Sequence, residues 1–488
     1  MAKRLTTTPK GSRSMKNKHL AWLAVSSLVG IPAAHADVEL IATGNISGTY
    51  EDLAHNTAKP LENGVPGDRL GGIGSGLAYA GGTTFLALPD RGPNAVSYNS
   101  AVDDTASYIE RFHTLDLSLL PSDAGSPFPF TLTPTLRSTT LFFSRTPLVY
   151  GTGAGLGVGS GAPALNFEKH RNYFTGRSDN FDPARLSTNS SDGRLDAESI
   201  RVSRDGRSVF ISDEYGPYVY QFDRASGARV RAYRLPDKFG VGNLSPQGTV
   251  EISGNTSGRV ANKGMEGLAI SPDGRTLFGA MQSPLIQDGG TNGAVTRIVK
   301  IDVFTGITHE YGYPLTNIGT AAKPKYPTVS DIVAVNDHQF LVDERDGKGL
   351  GDGSTAAFKH LYLIDLNGAQ DVSGITGAAN LVPKAVTKTL FLDIVTVLNA
   401  AGFGSNDIPA KLEGVAFGPD VTVAGSTRHT LFVANDNDYV ATVTDSNHPT
   451  GIDNPNRWFV FAFADTDLPE YTPQKIDEFD CGDRGFED

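Results

Sequence analysis

Cysteine is almost absent: Cys481 is the only one in 488 residues, so no internal disulfide can staple this fold. Long apolar runs are equally scarce. The best candidate, Leu20 to Ile31, is too short to anchor a chain permanently in a bilayer, and no cysteine follows it to be lipidated. Sustained helical periodicity is missing, whereas 55 glycines, 28 prolines and 39% apolar residues suit a turn-rich all-β chain long enough for a large core. Positive charge is in deficit. Six of the 42 Lys and Arg, and none of the 54 Asp and Glu, fall in residues 1–36, so the rest of the chain holds 36 basic against 54 acidic residues, a net charge of −18. Such a balance argues against a nucleic-acid partner and suits cation binding or a well-solvated surface.

The N-terminus has the order of an export signal: basic Lys16 and Lys18, the apolar run, then Ala34-His35-Ala36 as a small-residue cleavage site. Met15 offers an alternative start at normal signal length. These features predict a signal peptide over 1–36 with cleavage after Ala36, a folded domain over 37–471 and an acidic, mobile tail over 472–488. The product is expected to be periplasmic or secreted, without a stable membrane anchor, and monomeric.

The stretch 196–223, DAESIRVSRDGRSVFISDEYGPYVYQFD, is the unit that recurs. An apolar strand runs into Asp205-Gly206, a type I′ hairpin signal, a second strand ends at Asp213-Glu214, and two more strands follow before Tyr233. Four antiparallel strands in under forty residues make one propeller blade. Further copies begin near Gly71, Met265, Ser330 and Leu412. Irregular segments near 240–255 could supply another, so the expected fold is an all-β propeller of six blades, with five to seven allowed. The strand beginning at Asp37 is placed to complete a blade started at the other terminus. Residues 151–195 break the pattern and read as a long polar loop; their glycines fit neither phosphate-cradling motif.

The repeats place acids at one mouth of the channel. Glu198, Glu266 and Glu413 open first strands, while Asp90-Arg91, Asp213-Glu214, Asp343-Glu344-Arg345 and Asp436-Asn437-Asp438 close second strands, which are antiparallel partners of the first. Two carboxylates about 5 Å apart repel by roughly 3 kcal/mol at an effective dielectric of about 20, so such a cluster needs a cation, a proton or an arginine. Oxygen ligands without His or Cys indicate Ca²⁺ rather than zinc. The metal candidates are Glu198, Asp213, Glu214, Glu266, Glu413, Asp436 and Asp438; Glu344 is the candidate base, with Arg345 and Arg91 as stabilisers of developing negative charge. The plainer reading of Arg345 is an ion pair locking neighbouring blades. Asp205 and Asp273 read as turn formers only, no histidine pair shows metal-ligand spacing, and no G-x-S-x-G points to a serine nucleophile.

Four stretches, LDAESIRVSRDGRSVFISDEYGPYVYQFD, NKGMEGLAISPDGRTLFGAMQSPL, SDIVAVNDHQFLVDERDG and TLFVANDND, occur in order and resemble the family of exported phytase-like proteins described as having esterase-like activity. The resemblance implies a β-propeller hydrolase acting on a small phosphoric or carboxylic ester with bound calcium. Few Lys and Arg are available to grip an inositol polyphosphate. The alternative is a non-catalytic, ligand-binding propeller whose calcium is structural.

Overall fold

The computed structural model describes residues 37–94, 105–150, 161–166, 170–177, 189–216, 218–243 and 253–477. The proposed signal peptide, Cys481 and the glycine-rich stretch at 151–160 lie outside the described residues. Five antiparallel sheets stand around one axis, each with four strands in line, and the fifth also carries one short extra strand, Val421–Val423. Blade 1 is β2 (Gly76–Tyr79), β3 (Thr84–Leu88), β4 (Arg111–Pro121) and β5 (Phe130–Leu141). Blade 2 is β6 (Ala197–Val202), β7 (Ser208–Asp213), β8 (Tyr218–Asp223) and β9 (Arg229–Arg234). Blade 3 is β10 (Met265–Ile270), β11 (Thr276–Met281), β12 (Val295–Asp302) and β13 (Thr308–Pro314). Blade 4 is β14 (Thr328–Ala334), β15 (Gln339–Arg345), β16 (Lys359–Asp365) and β17 (Lys388–Asp393). Blade 5 holds β18 (Lys411–Phe417), β19 (Ser426–Asp436) and β20 (Asn456–Phe463), and its outermost strand is β1 (Glu39–Ile46) from the other end of the domain.

The pairing of β1 with β20, for instance Asn45 with Arg457, closes the ring as the sequence suggested. The count is five, at the lower bound of the allowed range, and the sixth blade sought near 240–255 does not form among the described residues there. Asn255 instead ties a loop, accepting from the Gly242 N–H through Oδ1 at 3.0 Å and donating Nδ2 to the Arg259 carbonyl at 3.1 Å.

Five is geometrically closed because the innermost strands touch almost backbone to backbone. A Cβ added at Gly76 would lie 3.0 Å from the Ser199 Cα, one at Gly267 2.9 Å from the Asp331 Cα, and one at Gly414 2.9 Å from the Gly74 carbonyl oxygen. Small side chains at these positions let so few strands meet around an axis. Strand faces are apolar on both sides, as a blade packed between two others requires, and the buried residues fall into five main clusters, one at each blade interface. Inside the channel, Arg201 from β6 crosses to Asp331 of β14, giving its Nη2 to both carboxylate oxygens at 3.0 and 2.9 Å and to the Ile332 carbonyl at 2.9 Å. This pair plugs the axis.

Asp205 and Asp273 are turn residues, as expected: each accepts from a neighbouring serine hydroxyl and from the backbone two residues on. The turn at Asp205-Gly206 is not type I′, however, because only Gly206 has positive φ, 67°, and its N–H bonds back to the Ser203 carbonyl; Gly274 likewise has φ of 73°. The start of the acidic tail is not loose. Thr472, Lys475 and Asp477 donate backbone N–H groups to the carbonyls of Val335, Pro272 and Arg204, so 472–477 crosses the lower face of blades 4, 3 and 2.

Candidate functional site

The upper end of the channel opens into a cavity of about 590 Å³. Strand register explains who reaches it. In blades 2 to 5 the first strand pairs Ala197 with Asp213, Met265 with Met281, Val329 with Glu344 and Leu412 with Asn435, and the register then shifts. That irregularity, a β-bulge, re-aims the next residue of the first strand: Glu198, Glu266, Ser330 and Glu413, with Ser75 equivalent in blade 1. On the second strand the next residue likewise turns to the cavity, giving Glu214, Gln282 and Arg345, with Asp90 in blade 1; in blade 5 it is Asp438 that lines the cavity, with Asp436 beside it.

Alternation along a strand sends its neighbours elsewhere. Asp213 is not brought to the cavity: its carboxylate accepts the N–H groups of Asp196, Tyr215 and Gly216 at 3.0, 3.1 and 3.0 Å and shapes the turn. Glu344, expected as a base, is also turned away. It is fully buried between blades, accepting from the Tyr313 hydroxyl at 2.5 Å and the Thr316 N–H at 3.1 Å and paired with Lys388. These three donors hold the carboxylate between the blades and away from the cavity.

The remaining candidates converge. Asp196, Glu198 and Glu214 offer oxygens within 4.8 Å of one another, and so do Asp90, Asp436 and Asp438. Each group already has a cation beside it. Arg91 gives Nη1 to Asp196 at 2.8 Å and lies 3.9 Å from Glu214, while its guanidinium also meets Asn262. Lys411 sits 2.6 Å from both Asp436 and Asp438. Arg345 is closed onto Glu413 across the interface of blades 4 and 5, which is the interblade pair its plainer reading foresaw. Lys263 bonds only the Gln282 side chain, at 3.1 Å. Sequence reasoning missed Lys263, Lys411 and Asp196; their signal is position, three and two residues before a first-strand glutamate and two before Glu198.

Eight carboxylates, Asp90, Asp196, Glu198, Glu214, Glu266, Glu413, Asp436 and Asp438, thus face four cations, Arg91, Lys263, Arg345 and Lys411. Lys325 and Lys348 add charge only at the exposed rim. Glu198 has no ion pair, and the Oε2 of buried Glu266 has no hydrogen-bond partner. Burial, then the other acids, raises Glu198, Glu266 and Asp90 well above the usual carboxylate range. Burial, then Asp196, pushes Glu214 up to about 7, against the pull of Arg91. Burial also takes Asp436 to about 7 despite Lys411. An all-oxygen set with surplus negative charge fits a hard divalent cation, and these groups could hold one. A third group, Glu51, His55 and Asp68, lies near the surface away from the cavity.

The family model described as "Phytase-like: Esterase-like activity of phytase" matches residues 68–439, a stretch that includes every site residue from Asp90 to Asp438. The chain belongs to this family. Among curated proteins, this phytase-like chain is 31% identical over 198 residues to an "Uncharacterized secreted protein" of Arthroderma benhamiae, a match covering 35% of the chain and 38% of that protein. Two solved structures match at low likeness. The allergen Mala s 1 of Malassezia sympodialis is 12% identical, with 82% of this chain and 79% of that one covered and a TM-score of 0.31. The gluconolactonase XC5397 of Xanthomonas campestris is 12% identical over 88% and 97%, with a TM-score of 0.28. At that distance neither bears on activity. No helix among the described residues is long and apolar enough to cross a membrane.

Proposed function

We propose that the protein is an exported hydrolase of small phosphoric or carboxylic esters, working in the upper cavity with Ca²⁺. The observation that carries the reading is the surplus of buried carboxylates, with Glu198 and Glu266 left unpaired in a cavity large enough for a small molecule. Asp90, Asp436 and Asp438, whose oxygens lie within 4.8 Å of one another, would hold the ion, with Glu198 and Glu266 as further carboxylates on the cavity wall. Bound there, Ca²⁺ supplies Lewis acidity toward an ester oxygen and toward water.

The chain's own residues supply the rest. Glu214 titrates near neutrality and faces the cavity, so it replaces Glu344 as the proton acceptor, held in place by the Gly264 N–H on its Oε1 at 2.8 Å. Arg91, with a side chain 11% exposed, offers charge to a developing oxyanion at the cavity wall. Lys263 is the cation with the weakest existing attachment and is free to meet an anionic substrate group. Export rests on the leader sequence; cleavage after Ala36 would free Asp37 just before β1.

The alternative, a ligand-binding propeller with structural calcium, draws support from one observation: Arg345 is engaged by Glu413 and not free for a transition state. A screen of the mature protein against aryl phosphates, phosphodiesters, phytate and short acyl esters, with Ca²⁺ and with EDTA, separates the two. Metal-dependent turnover of one class, lost in Glu214→Gln, supports the hydrolase; Ca²⁺ binding without turnover on any of them favours the binding module.

A further inference from the structure

The channel has a second end. Below the Arg201–Asp331 plug, the last residues of the innermost strands surround a hollow of about 240 Å³. Leu77, Ile270, Val333 and Val415 wall it from four blades, and Phe417 from blade 5 meets the ring of Tyr471 at 4.5 Å. Tyr471 begins the strap that crosses this face. Gln474 of the strap gives its side-chain amide to the Val202 carbonyl at 2.7 Å, so the covering segment is fixed by side-chain as well as backbone bonds.

The hollow has a defined chemistry. Its volume exceeds the roughly 150 Å³ of an apolar cavity that takes benzene, so it holds one ring with a short substituent. Its one buried cation, Arg201, is already neutralised by Asp331, and Asp420 also borders it; an entering carboxylate would be an uncompensated charge beside two others. The Tyr471 hydroxyl makes no hydrogen bond to the protein, and burial followed by Asp420 and Tyr79 raises its pKa, so it stays a neutral donor.

We propose that this hollow is a binding site for a small, uncharged, mostly apolar molecule carrying one hydroxyl or carbonyl group, which accepts the Tyr471 proton. The site lies at the opposite end of the channel from the acidic cavity and does not rest on the hydrolase reading.

Methyl NMR of the whole mature chain tests it, with Ile270, Val333 and Val415 as reporters and three probes: acetophenone, ethylbenzene and benzoate. Acetophenone should move those methyls saturably, ethylbenzene should bind about tenfold more weakly for want of the one hydrogen bond, and benzoate should leave them in place. Tyr471→Phe, which keeps the ring, should bring acetophenone down to the level of ethylbenzene. Ala334→Phe, which fills the hollow from its wall, should abolish both shifts; if that variant does not fold, Tyr471→Phe still decides. Unmoved methyls with acetophenone, equal binding of ethylbenzene, tighter binding of benzoate, or an acetophenone preference that survives in Tyr471→Phe would each overturn the assignment.

Discussion

Raising the pH should destabilise the metal-free protein, and Ca²⁺ should offset the part that arises in the cavity. The sign follows from the raised carboxyl groups. A group whose folded pKa lies above its unfolded value keeps a proton that the unfolded chain has lost, so stability falls as pH rises through the folded value. Asp213, Glu214 and Asp436 sit near 7 in the fold. Each therefore costs about 0.7 kcal/mol between pH 6.5 and 7.5, while Glu198, Glu266 and Asp90, raised further, cost up to about 1.4 kcal/mol apiece over the same unit. Four groups act in the opposite sense: buried His113, lowered to about 4, Lys359, lowered to about 8, and Lys263 and Lys388, which burial also lowers. The sum is about 2 to 6 kcal/mol, or about 2 to 6 °C in Tm for a domain of this size at about 0.9 kcal/mol per degree. Differential scanning calorimetry in EDTA at the two pH values reads it directly. Millimolar Ca²⁺ binds the deprotonated form and should raise Tm most at pH 7.5, and Glu266→Gln should make the slope shallower. A Tm that is flat or rising across the window in EDTA would mean that the four cations suffice to neutralise the cavity, and the case for a metal would fall with it.

Three further outcomes are expected. Gly267→Val should lower Tm by more than about 2 °C or prevent folding, since its Cβ would meet the backbone of Asp331, whereas Gly374→Ala, with nothing within 4 Å, should be silent in the same melt. Arg91→Ala should lower turnover of any substrate found by roughly a hundredfold, and unchanged turnover would remove Arg91 from the oxyanion role; Arg345→Ala should instead raise Ca²⁺ uptake in calorimetric titration, because Glu413 loses its partner. Mass spectrometry of the exported protein should find Asp37 at its N-terminus, and a cytosolic chain that keeps Met1 or Met15 would refute export.

Much of the fold was legible because a propeller writes itself repeatedly. The Asp-Gly turns, the apolar strands and the orphan strand at Asp37 are local signals, and each marks its element, although the turn at Asp205-Gly206 is not the type I′ its dipeptide suggested. The blade count was harder to fix, because ring closure depends on how nearly Gly76, Ser199, Gly267, Asp331 and Gly414 let five backbones approach, and no single repeat carries that information. The site was half visible. Acids at strand ends point to one mouth, but which of two adjacent residues faces it depends on alternation and on a bulge, so Glu214 and Arg345 reach the cavity while Asp213 and Glu344 do not. Lys263 and Lys411 escaped notice because they precede the conspicuous glutamates and belong to no repeat. The Arg201–Asp331 plug joins blades 130 residues apart, and sequence spacing gives no hint of it.

The strand β1 has a consequence for the order of assembly. It is the first part of the domain to leave the ribosome and, in an exported chain, the first to cross the membrane, yet its partner β20 lies more than 400 residues behind it. Until β20 arrives, β1 is an unpaired edge, exposed to mispairing with other chains. The last blade to be completed also brings Glu413, Asp436 and Lys411. The acidic cavity therefore cannot exist in a partly translocated chain, and a calcium ion drawn to it would meet a finished ring only on the far side of the membrane, where it would act as a latch on a fold already closed.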